Sequence, residues 1–251
     1  MPSFQDLLTA FTLLTRLPVG WLGSGSSDLA RSVWAFPVVG LAVGLIGALV
    51  YWLLHGMGVP AWLAASWTFA AILIVTGAFH EDGLADTADG FGGGKTRERK
   101  LEIMRDSRIG SYGAAALGLS LLIRIGALAS LERPHAVLVA LIAAAMAGRA
   151  GMIWPLLFLS PARTDGMASG MGHVPHWSAA LGLGLVALVL LFTLPFAGAL
   201  AVAVAAAGAS LALAQLARMQ IGGHTGDLLG AGEVIVECVT LTVVAAVLRG
   251  S

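Results

Sequence analysis

The chain has 251 residues, of which 58% are hydrophobic and only 11% charged, with a mean hydropathy of +0.88. A soluble globular domain carries roughly 25% charge, so that class is excluded. Fourteen basic residues balance fourteen acidic ones, so no net field draws the chain to nucleic acid, and the single Cys238 excludes an internal disulfide.

Residues 4–21 are apolar but carry Arg16 and Pro18, which predicts an interfacial or re-entrant helix rather than a full span. Asp6 and Arg16 also argue against a secretory signal there. No Asp, Glu, Lys or Arg lies between Arg31 and Glu81, a gap of 49 residues, or between Asp165 and Arg218, a gap of 52. A bilayer core of about 30 Å takes about 20 apolar residues per helix, so each gap holds two spans. Spans are expected at 34–54, 59–79, 111–131, 136–159, 177–194, 199–217 and 232–248. The 33 glycines suit closely packed transmembrane helices. The expected fold is an all-α polytopic transmembrane bundle of about seven spans plus the N-terminal helix. Residues 1–251 then form a single integral-membrane catalytic domain.

Residues 81–108 hold seven acids and six bases, 13 of the 28 charges, and are expected to form an aqueous loop. Alternation of the spans puts this loop on one face with the N-terminal segment and the polar stretches 160–176 and 218–230. That face carries ten of the fourteen basic residues, so the positive-inside rule makes it cytoplasmic.

Within the loop, Asp82, Asp86 and Asp89 are spaced i, i+4, i+7. If the segment continues the second helix, the three carboxylates share one face within about 60°. Like charges so placed repel, and a divalent cation relieves them. Hard oxygen donors without thiolates suit Mg²⁺ or Mn²⁺, with substrate phosphates completing the shell. The alternative is a solvated acidic helix end offset by nearby bases.

Gly90-Phe91-Gly92-Gly93-Gly94-Lys95-Thr96 is not a Walker A loop, because Asp89 stands where glycine is needed and no strand precedes it. A loop closing over a phosphate and a plain linker both remain open. Residues 97–108 read as an amphipathic helix whose charges form a solvated surface, or present Arg105 and Arg108 to phosphate oxygens. Gly222-Gly223-His224-Thr225-Gly226-Asp227 reads either as a backbone-rich anion site including the Thr225 hydroxyl, with an acid beside it, or as a capping turn. Arg124, Arg149, Glu233 and Glu237 fall within spans, where a charge signals a functional site or an internal ion pair.

The run Phe79-His80-Glu81-Asp82-Gly83-Leu84-Ala85-Asp86-Thr87-Ala88-Asp89-Gly90, the run from Leu101 to Gly110 and Gly223-His224-Thr225-Gly226-Asp227 together resemble the cobalamin synthase family, the adenosylcobinamide-GDP ribazoletransferases. The resemblance spans nearly the whole chain. Leu14 to Val19, Arg149 and Arg163-Thr164-Asp165-Gly166 also look like family positions. It implies a multi-pass inner-membrane enzyme, dependent on Mg²⁺, acting late in vitamin B12 assembly with its active site facing the cytoplasm. A hydroxyl of α-ribazole, or of its 5'-phosphate, attacks the cobinamide-linked phosphoryl group of adenosylcobinamide-GDP, and GMP leaves. On that reading Asp82, Asp86 and Asp89 hold metal, while Lys95, Arg105, Arg108, Arg149 and Thr225 bind substrate. Asp227 is either a further ligand or the base, with His80 the competing base.

A CDP-alcohol phosphotransferase-like membrane enzyme is the alternative, although its arginine after the first alanine is replaced here by Asp86 after Ala85. A transporter using the intramembrane charges is a further one, but the densest acids lie at one face and no repeat relates the halves. Beyond the two substrates, the expected partners are the lipid bilayer, no nucleic acid, and a second copy of the chain if the bundle oligomerises.

Overall fold

The computed structural model describes residues 1–23, 28–165 and 170–249, and Gly166 lies outside the described residues. Among these, the regular structure is helical, with one isolated bridge between Pro161 and His224.

Helix α1 (Phe4–Leu14) opens on a capping box, with the Ser3 hydroxyl accepting from the Asp6 amide at 3.2 Å and the Asp6 carboxylate accepting from the Ser3 amide at 2.9 Å. Its 11 residues extend only about 16 Å at 1.5 Å per residue, too short to cross a bilayer. A non-spanning helix is therefore present as expected, but it stops at Leu14, seven residues before the expected limit at residue 21. Helices α2 (Leu29–Ser32) and α3 (Phe36–Gly56) then form the first crossing segment, and α4 (Ala61–Thr76) returns.

At Gly77 and Ala78 the backbone turns left-handed, with φ of 67° and 53°, and α5 (Phe79–Gly93) leaves at 92° to α4. Glycine adopts this conformation without a Cβ penalty, and the Arg16 side chain packs against the space a Cβ at Gly77 would fill. The acidic segment is therefore a helix, but neither a straight continuation of the second span nor an aqueous loop as expected. Helix α6 (Arg97–Ile103) follows and stops five residues short of the expected end at Arg108.

Helices α7 (Ser111–Leu131), α8 (Pro134–Gly151), α9 (Ile153–Phe158), α10 (His176–Thr193), α11 (Phe196–Ile221) and α12 (Gly226–Arg249) complete the bundle. Six segments are long and apolar enough to cross a membrane, and the bent α4–α5 pair makes a seventh if counted as one span. The last helix begins six residues earlier than expected because Thr225 caps it, its hydroxyl accepting from the Leu228 amide at 3.1 Å. Small residues bring backbones together throughout. A Cβ at Gly40 of α3 would run into the Ala145 carbonyl of α8, and one at Gly83 of α5 would stand 2.6 Å from the Asp227 carbonyl of α12.

Candidate active site at the polar end of the bundle

The three polar stretches that the sequence assigns to one face meet at one end of the bundle. Residues 160–162 run beside 222–224, with the Ala162 amide donating to the His224 carbonyl at 2.8 Å and the His224 amide to that of Ser160 at 2.9 Å. Gly223 allows this approach, since a Cβ there would collide with the Ser160 carbonyl. From α6, Arg97 clamps both strands of the pair, donating to the Ile221 carbonyl at 2.8 Å and to the Ala162 carbonyl at 2.5 Å. Lys100 also bonds to Gln220 at the end of α11.

Against this frame, the Gly83–Asp227 contact sets α5 alongside the first turn of α12. Asp82 is exposed, and Asp86 and Asp227 are half-buried. Asp227 accepts from Arg163 Nη2 at 3.1 Å, and Asp165 accepts from Arg105 Nη2 at 2.6 and 2.7 Å. The Arg105 hydrogen bond holds the exposed Asp165 carboxyl below its ordinary range. On α5, the charges of Asp82, Asp227 and Asp89 press on Asp86, and that of Arg163 opposes them. Four carboxylates thus crowd one place.

Such crowding, with oxygen donors alone, fits a hard divalent cation. Among the described residues no group of three or more Asp, Glu, His or Cys side chains is placed to hold a metal ion by itself. A cation here would take the rest of its shell from water and substrate phosphate oxygens, as Mg²⁺ does beside one or two carboxylates.

The other candidates separate. Both oxygens of Asp89 are occupied, accepting from the Gly110 amide at 2.7 Å and the Gly113 amide at 2.9 Å, so this buried carboxylate anchors the N-terminus of α7. Asp89→Ala is expected to cost about 0.5–2 kcal/mol, as for a lost helix cap, read as a lower melting temperature of the purified protein. Thr225 is buried, and its hydroxyl both caps α12 and hydrogen-bonds Asp227. Arg149 is only 1% exposed and donates to Glu233 at 2.8 Å, the internal pair left open above rather than a contact for substrate. His80 is equally buried, with Nδ1 3.6 Å from Glu233, so it faces the bundle interior and not the polar end. Lys95 is exposed, and Arg108 is 87% exposed and paired with Asp106 at 2.5 Å.

Glu237 pairs with Arg124 at 3.1 Å, and so does Glu81 at 2.8 Å. Neither the second link nor the clamp made by Arg97 follows from the sequence. Glu81 reads as one more acid of the 81–108 cluster, and Arg97 as one of several solvated bases. Arg163 and Asp165 were marked only by the resemblance, because no spacing connects them to Asp227 or Arg105.

Fold and site together define a polytopic helical membrane protein with a carboxylate and arginine site at one end of its bundle. The family model described as Cobalamin-5-phosphate synthase matches residues 6–245, and the chain belongs to that family. An adenosylcobinamide-GDP ribazoletransferase of Bradyrhizobium diazoefficiens is 49% identical over 98% of this chain and 95% of its own length. One of Mesorhizobium japonicum is 45% identical over 97% and 94%, and one of Ralstonia pickettii 40% identical over 95% and 94%. No solved structure matches the chain.

Proposed function

We propose that the chain transfers adenosylcobinamide phosphate from adenosylcobinamide-GDP to α-ribazole or α-ribazole 5'-phosphate. The products are GMP and adenosylcobalamin or its 5'-phosphate, a late step of vitamin B12 biosynthesis. The observation that carries this is the placement of Asp82, Asp86 and Asp227 on the touching helices α5 and α12, with Arg163 on Asp227 and Arg105 joined to Arg163 through Asp165. The names of the full-length relatives supply the substrates.

Asp82 and Asp86 would hold Mg²⁺, with Asp89 adding its charge from the α7 anchor. Bound there, the ion supplies neutralisation of the charge that develops on the phosphate oxygens. Arg105 and Arg163, already fixed by carboxylates, orient the diphosphate, and the exposed Lys95 and Arg108 gather it from water. The ribazole hydroxyl oxygen bonds to the cobinamide-linked phosphorus as the bond from that phosphorus to the GMP oxygen breaks. Asp227 takes the hydroxyl proton, and GMP leaves with the electron pair of the broken bond. Asp227 is favoured over His80 because it is half-buried at the polar end, whereas His80 is enclosed beside Glu233. The gathering of bases at this end supports reading it as the cytoplasmic side of the inner membrane.

The test is GMP release from adenosylcobinamide-GDP by the purified protein, with each acceptor and with none, before and after chelation of divalent metal. Release that needs acceptor and metal is expected. No release with either acceptor overturns the proposal.

A further inference from the structure

Helix α5 carries the proposed cation ligands. The left-handed pair Gly77 and Ala78 turns it 92° away from α4, and the Ala78 amide closes the turn by donating to the Leu73 carbonyl at 2.9 Å. Beyond that turn, its orientation is held by packing and by two buried residues just ahead of Asp82. His80 lies against Glu233, which is itself held by Arg149. Glu81 Oε1 accepts from Arg124 Nη1 at 2.8 Å.

Arg124 is a fixed post. It is 1% exposed, donates through Nε to the Ser120 carbonyl at 3.3 Å and through Nη1 to Glu237 at 3.1 Å, and stands 5.1 Å from the centre of the Phe69 ring. Helices α4, α7 and α12 therefore all constrain the guanidinium that α5 grips. Successive helical residues are rotated by about 100°. With Glu81 turned inward onto this post, Asp82 emerges exposed on the polar side, and Asp86 follows it one turn later.

We propose that Glu81 is a positioning residue, whose bond to Arg124 fixes the rotation of α5 and so the aim of Asp82 and Asp86. The inference rests on reading those two carboxylates as cation ligands. Glu237 supplies an internal control, because it bonds to the same guanidinium from α12 instead of α5.

The experiment compares Glu81→Gln and Glu237→Gln in the full-length purified protein. Each removes one carboxylate charge from Arg124 with little change of shape. Mn²⁺ binding is read by electron paramagnetic resonance, alongside melting temperature and the kcat and KM of GMP release. Loss of a supporting partner typically weakens metal binding by about 10–100-fold. That range is expected for Glu81→Gln, with kcat lowered and KM little changed, while Glu237→Gln binds Mn²⁺ as the unaltered protein does. A purely structural pair would move both variants alike, so equal weakening, or unchanged binding in Glu81→Gln, contradicts the proposal. If the unaltered protein binds no Mn²⁺, the cation site itself fails and Glu81 loses its role with it.

Discussion

Asp86→Ala is expected to lower GMP release by about 10³-fold or more while the protein still inserts and folds. A bound metal ion contributes several kcal/mol of charge stabilisation in phosphoryl transfer, and about 4 kcal/mol corresponds to a thousandfold in rate. Asp86 is where that loss should be greatest, since it is the carboxylate pressed upon by Asp82, Asp227 and Asp89. Folding should survive, because relieving a crowded anion removes repulsion. Turnover of adenosylcobinamide-GDP and the melting temperature, measured on the same preparation, separate the two effects. Activity within tenfold of the unaltered protein would remove Asp86 from the site.

The largest effect on stability is expected at the opposite kind of position. Arg149→Leu leaves the Glu233 carboxylate in the bundle without the guanidinium that donates to it at 2.8 Å. Breaking a buried pair from one side costs about 3–5 kcal/mol, a large share of a typical stability of about 5–15 kcal/mol. Little folded, inserted protein should be recovered. Replacing Glu233 by Leu as well removes the stranded charge, and the double variant should regain much of the lost yield and melting temperature. A single variant as stable as the unaltered protein would show that the pair contributes nothing to the bundle.

Much of the architecture was legible because scarcity of charge exposes it. The uncharged gaps give the hairpins, and alternation of the spans predicts that residues 81–108, 160–176 and 218–230 share one end. Arg97 in fact bonds to both Ala162 and Ile221. The i, i+4, i+7 aspartates were equally visible. Their division of labour was not, because Asp89 is drawn away by amides at Gly110 and Gly113, more than twenty residues on. The bend after α4 was also hidden. Its apolar run continues to Phe79, and only the left-handed conformation of Gly77 and Ala78 ends the helix. Pairings across the bundle, such as Glu81 with Arg124, depend on helix rotation, which hydropathy does not encode.

The central claim is that the carboxylates of α5 hold a metal ion against the diphosphate. Phosphorus-31 relaxation of adenosylcobinamide-GDP bound to the Mn²⁺-loaded protein tests it most directly, because a paramagnetic ion touching phosphate oxygens shortens phosphorus relaxation sharply. Strong relaxation of both diphosphate phosphorus nuclei is predicted in the unaltered protein, with loss of the effect in Asp86→Ala. Bound substrate whose phosphorus relaxes equally with and without Mn²⁺ would contradict the account.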